Sequence, residues 1–198
     1  MLNSHLVHPV ISTQTIYDSY RKLIECFSLF IFLLSLCFPL NANENSIQDH
    51  NLKAVYLFRF VLLTNWGEFK PQDNKYHLCT QGASKVTEAL NQLVIKQPNR
   101  ANVISFKSIE KIAVSSCHLI YTTTQKPKLL AHLKTLYPHA LLIGESAAFI
   151  HAGGSIAFIK ENNRIKPLIS LNNLVPTGLS LRSQLLSVSD LADNKEAQ

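Results

Sequence analysis

Residues 52–66 read LKAVYLFRFVLLTNW, and the rest of the chain has to be arranged around them. Between Val55 and Leu63 every residue is apolar except Arg59. Good helix formers lead in, no Gly or Pro interrupts, and Gly67 stands where a helix stops. A surface helix carries one apolar stripe and one polar face. This one is apolar nearly all round, which calls for burial in a core or for cover by a partner. It is too short to span a bilayer, which takes about 20 apolar residues.

Two residues of the run stand out. A guanidinium in the middle of an apolar helix is costly unless it is paired or reaches water. Arg59 therefore either snorkels to the surface or meets a core carboxylate, or else it holds an anion or an acidic group of a partner. Trp66, the only tryptophan, closes the run and reads as a core residue before it reads as a binding platform.

The chain has 198 residues, 46% apolar and 16% charged, enough for one domain with a real core. Its net charge of +6 is spread along the sequence with no block of like charges. A nucleic-acid surface gathers Lys and Arg on one element, so that partner class is not expected. Residues 27–40, FSLFIFLLSLCFPL, form a short apolar run behind Arg21 and Lys22, and Pro39 and Ala42 precede a polar stretch. That order is a secretory signal: residues 1–42 are expected to be removed after Ala42, leaving a flexible lead-in over 43–51, a domain over 52–191 and a polar tail over 192–198. The competing reading, a retained anchor, suits the run less well, since Pro39 sits inside its end.

Loss of residues 1–42 also removes Cys26 and Cys37, leaving Cys79 and Cys117 in a chain bound for an oxidising compartment. An even count there reads as a disulfide, worth about 4 kcal/mol at most by the chain-entropy model. Two free thiols are the alternative. A metal site would need more ligands, and no CxxC or HxxxH spacing occurs.

Along the rest of the chain, residues 76–80 and 103–106 read as strands. A helix capped by Ser84 lies between them, with Val86, Ala89, Leu90, Leu93 and Val94 on one face. Residues 117–121 begin a third strand, Pro127 opens a helix that stops before Pro138, and residues 140–143 are a strand apolar on both sides. A brief helix over 146–152 ends at Gly153-Gly154. Strands over 155–160 and 164–170 make a hairpin across Glu161-Asn162-Asn163. Residues 172–177 are helical or turn-like, and a last short strand or helix packs on the core. Strands alternating with helices argue for a single α/β domain, a mixed β-sheet with helices on both faces.

Chemistry is harder to find. Cys117-His118 could suggest a nucleophile and its base, but neighbours on a strand point to opposite faces, so His118 is expected to be structural or on the surface. Glu145, Ser146 and His151 lack a GxSxG elbow. Gly153-Gly154 is a weak phosphate-loop signal because a strand follows. No catalytic residue, metal ligand or cofactor site is assigned, and no enzyme is expected.

Five patches nevertheless resemble the YfiR/HmsC-like family of bacterial periplasmic proteins. The segment from Lys53 to Phe60, closing at Asn65-Trp66, is similar to the opening helix KAAYLYNFxxxxxWP. Leu78-Cys79-Thr80-Gln81-Gly82 is similar to LCVxG, and Cys117-His118-Leu119-Ile120-Tyr121 to CHxLY. The stretch from Phe149 to Ile156 is similar to FAxxGGxI, and that from Gly178 to Leu186 to GLxISSxLLxLA.

The resemblance implies an α/β fold, often dimeric, and a periplasmic repressor. Such proteins bind the periplasmic sensor domain of an inner-membrane diguanylate cyclase and hold it inactive, keeping cyclic-di-GMP and biofilm formation low. It also implies modulation by redox state, and it places Cys79 and Cys117 on the family's shared cysteine pair. Arg59 departs from the usual Asn, and Pro167-Leu168-Ile169-Ser170 replaces FEIN, which suggests an edge strand. The second disulfide of some relatives cannot form in the mature chain. Arg59, Trp66 and Arg182 are the expected contacts to a partner. The alternative function is a periplasmic receptor for a small anionic ligand, with Arg59 and Arg182 as contacts.

Overall fold

The computed structural model describes residue 21 and residues 44–82, 84–112 and 114–192. The expected signal peptide, Arg21 apart, and residues 193–198 of the tail lie outside the described residues. In chain order the elements are α1 (Glu44–Leu63), β1 (Thr64–Asn65), β2 (Tyr76–Gln81), α2 (Lys85–Val94), β3 (Ala101–Phe106) and β4 (Leu119–Tyr121). Next come α3 (Pro127–Leu136), β5 (Leu141–Glu145), α4 (Ser146–His151), β6 (Ile156–Glu161) and β7 (Arg164–Ile169). The chain closes with α5 (Leu171–Leu174), β8 (Ser180–Leu181), α6 (Ser183–Leu186) and β9 (Asp190–Leu191).

Seven strands make the main sheet in the order β3-β2-β4-β5-β6-β7-β9. The first five are parallel, β7 runs antiparallel to β6, and β9 lies parallel to β7. Alternation of side chains along the central strands makes two cores. Leu78, Leu119, Leu141, Ile143, Ile156 and Phe158 face α1 and α2. Their neighbours Cys79, Ile120, Leu142 and Ala157 face the opposite way, toward Leu130 and Leu133 of α3 and Phe149 and Ile150 of α4. A strand apolar on both sides is what a sheet covered on both faces requires. The mixed sheet with helices on both faces is therefore as expected.

Local chemistry explains the boundaries. Ser84 Oγ accepts the Thr87 N–H at 3.2 Å and starts α2. Asn162 and Asn163 both adopt left-handed φ, 48° and 60°, the geometry a two-residue hairpin turn needs. Gly144 and Gly154 lie against the ring of Phe149, where any Cβ would overlap it. That packing accounts for Gly154, and a left-handed φ of 104° for Gly153, without a phosphate.

Two expectations need correction. Helix α1 begins at Glu44, so the lead-in expected to be flexible is helical from residue 44 to 51, and Asp49 is tied to Lys160 at 2.8 Å. Pro167 does not mark an edge strand, because β9 pairs outside β7. But β9 covers only Leu168 and Ile169, so Pro167 falls just past its end, where no further strand needs its missing N–H.

Candidate functional site

Helix α1 packs Ala54, Leu57, Phe58, Phe60 and Val61 into the first core. Full burial of each large side chain contributes about 1.5–3 kcal/mol, which fixes the helix against the sheet. Its outward face carries Leu52, Val55, Arg59 and Leu62 at spacings of three and four residues. Leu52 is 37% exposed, while Val55 and Leu62 are half-buried. Arg59 is exposed and forms no ion pair among the described residues. Of the two structural readings, reaching water or meeting a core acid, Arg59 takes the first.

The outward face runs into a cleft of about 670 Å³ at the amino-terminal end of β2. The cleft forms because the chain leaves α1 through β1, which pairs antiparallel with β8, Thr64 opposite Leu181 and Asn65 opposite Ser180. That short ladder brings Arg182 alongside Trp66 and Tyr76. Trp66 is only 3% exposed, its Nε1–H donates to the Val61 carbonyl at 2.8 Å, and its ring lies 5.4 Å from that of Tyr76. Its role in the core is thus as expected, with one edge left on the cleft. Burial raises the pKa of the Tyr76 hydroxyl, and the nearby Arg182 charge works against that rise.

Three cations line the cleft from three distant segments: Lys70, Arg100 and Arg182. Among the described residues no carboxylate lines it, and Asp73 of the neighbouring loop is turned to the Lys75 N–H at 2.9 Å. Behind the cleft, His118 meets Trp66 and Tyr76 edge-on at 5.6 and 5.4 Å. Its Nδ1 accepts the His77 N–H at 3.0 Å. Burial, with His77 adding to it, lowers the His118 pKa to about 4. His118 is accordingly neutral and structural, while Cys117 faces the other core.

Cys79 and Cys117 are disulfide-bonded, with Cα atoms 5.8 Å apart. The bond joins β2 to the segment just ahead of β4, its neighbour in the sheet.

A second cleft, about 420 Å³, opens at the carboxyl ends of β5 and β6. Ligands of open α/β sheets commonly bind at that end of the strands. Here the charges are already spent on one another. Lys53 Nζ donates to both Glu145 oxygens, at 2.7 and 2.8 Å, Tyr121 donates its hydroxyl to the same carboxylate, and Lys160 pairs with Asp49. Burial first, and then the Glu145 charge, push the Tyr121 pKa up. Ser146 receives a hydrogen bond from Gln125 at 2.9 Å, and His151 sits at the far end of α4. Glu145, Ser146 and His151 thus do not assemble into a nucleophile and its base. Among the described residues no group of three or more His, Cys, Asp or Glu could hold a metal ion.

The structure brings Trp66 and Arg182 together and leaves Arg59 on the adjoining helix face. Sequence reasoning missed Lys70 and Arg100. Their signal was faint but present: each stands in a turn segment just ahead of a strand, and β2 and β3 are parallel, so both fall at one end of the sheet.

The family model described as YfiR/HmsC-like matches residues 50–190, well over half of the chain. The chain belongs to the YfiR/HmsC-like family. No curated protein matches it. Among solved structures, this YfiR/HmsC-like chain is similar to a conserved domain protein from Vibrio cholerae, with a TM-score of 0.50 at 6% identity. The match covers 72% of this chain and 59% of that one. An ABC domain in complex with L-Trp from Streptococcus pneumonia aligns with a TM-score of 0.48 at 8% identity, over 72% of this chain and 60% of that one. The YfiR/HmsC-like chain thus spans about three fifths of the length of each. At 6% identity the likeness to the Vibrio cholerae protein concerns the fold alone. Among the described residues no helix is long and apolar enough to cross a membrane. The apolar run over 27–40 lies outside them.

Proposed function

We propose that this YfiR/HmsC-like protein is a periplasmic repressor. In this reading residues 1–42 are a signal peptide, and residues 52–191 carry the function. The domain binds the periplasmic sensor domain of an inner-membrane diguanylate cyclase and lowers cyclic-di-GMP and biofilm formation. Family membership supports the regulatory class. The single structural observation behind the choice of surface is the outward face of α1, where Leu52, Val55 and Leu62 flank an uncompensated Arg59. An apolar strip with one cation suits a partner surface that offers apolar contacts and an acidic group.

Binding represses only if the protein prefers the inactive arrangement of the sensor. A ligand with equal affinity for both states shifts nothing. In this reading the repressor acts through a difference in affinity for the two states of the sensor.

Deletion of the gene tests this directly. Cyclic-di-GMP and surface attachment should both rise, and both should return to their former level when the gene is restored. Unchanged levels would overturn the proposal.

A further inference from the structure

We infer that the cleft beside Trp66 is a binding site for a small polyanion carrying carboxylate or phosphate groups, its oxyanion groups held by Lys70, Arg100 and Arg182. The three side chains come from a turn, the start of a strand and the start of a short helix, far apart in sequence, yet they line one cavity. Like charges gathered this way repel one another. None of the three forms an ion pair among the described residues, and none of the cavity's other lining residues is acidic. The second cleft is the instructive contrast. Its lysines are neutralised by Glu145 and Asp49, so it has no net charge to offer a ligand.

Size and lining narrow the ligand class. About 670 Å³ lies within the range of sites for small molecules. Asn65, Asn74 and Asn99 add amide donors around the rim, suited to carboxylate or phosphate oxygens. Trp66 and Tyr76 are buried in the floor, so they present no open ring face on which bases of a nucleic acid could stack. Cations spread over three segments fit several oxyanion groups on one molecule better than a single one. Neither the cyclase nor the outward face of α1 enters this inference, and it stands or falls separately from the repressor reading.

The test is calorimetric titration of the purified protein, produced from the full chain, with citrate in one arm and pyrophosphate in the other. Sodium chloride at matched ionic strength is the control. Saturable binding of citrate identifies a polycarboxylate site, and saturable binding of pyrophosphate a phosphate site. In either case Arg100→Gln and Arg182→Gln should each weaken binding about tenfold or more. Arg164→Gln, on the β6–β7 hairpin and outside the cleft, should leave it unchanged. All three side chains are exposed, so the variants should keep the wild-type circular dichroism spectrum. Absence of saturable binding in both arms overturns the inference. So does an equal loss in the Arg164 variant, which would reduce the effect to general ionic attraction.

Discussion

His118 has its Nδ1 already engaged by the His77 N–H, and its ring is enclosed by Trp66 and Tyr76. Adding a proton would break that hydrogen bond and place a charge against aromatic edges. The folded protein therefore holds the imidazole neutral to about pH 4, whereas its ordinary value is 6.5. Between those values the unfolded chain binds the proton and the folded one does not. Stability contributed by His118 is thus complete above about pH 6.5 and is lost as the pH falls through 4. Discounted for the partly open setting, the loss is about 1–2 kcal/mol. Urea denaturation at pH 7 and at pH 4.5 checks it. In His118→Asn, which retains an acceptor near Nδ1, the pH dependence should flatten, and identical slopes in the two proteins would contradict this account.

At the scale of elements, the cystine ties β2 to the segment leading into its parallel neighbour β4, across a sequence separation of 38. Cys79→Ser or Cys117→Ser should cost about 2–5 kcal/mol, read as a lowered denaturation midpoint under non-reducing conditions. A midpoint equal to that of the wild type would mean the bond contributes nothing. Helix α1 makes the opposite prediction. Arg59 is exposed and touches no core acid, so Arg59→Glu should alter stability by less than about 0.5 kcal/mol. If α1 docks on the cyclase sensor domain as proposed, the same change should weaken that binding about tenfold or more, because it would set an acid against an acidic group of the partner. Affinity unaltered in a pull-down or optical binding assay would remove α1 from the interface. The rule that produced α1 from sequence was sound in kind and incomplete at its start. The stretch 52–66, with Gly67 as its stop, also overran the end, since α1 closes at Leu63 and Thr64–Asn65 leave it as β1. The polar turns ahead of the apolar run carry no such signal and are held in part through Asp49 and Lys160.

Across the whole molecule, strand and helix alternation, the Ser84 cap and the hairpin could be read directly, because each follows from a period or from turn chemistry a few residues long. The sheet order could not. Nothing local tells β9 to pair with β7, or β1 with β8, since two-residue strands have no period to detect. The cleft was hidden for the same reason: it exists only where Lys70, Arg100 and Arg182 are brought together by that order. Trp66 and Arg182 could be singled out as unusual residues, but not as neighbours.

The pairing of Thr64 with Leu181 also bears on how the chain is made. A ribosome releases α1 early, whereas β8, α6 and β9, which complete its surroundings, leave the exit tunnel last. Until they arrive, its greasy side is covered by α2 and the central strands but lacks this last flank. Purified chains ending before Ser180 should accordingly cross-link to a chaperone through α1, and chains ending past Leu191 should not. Equal cross-linking at both lengths would mean that the amino-terminal portion conceals its helix unaided.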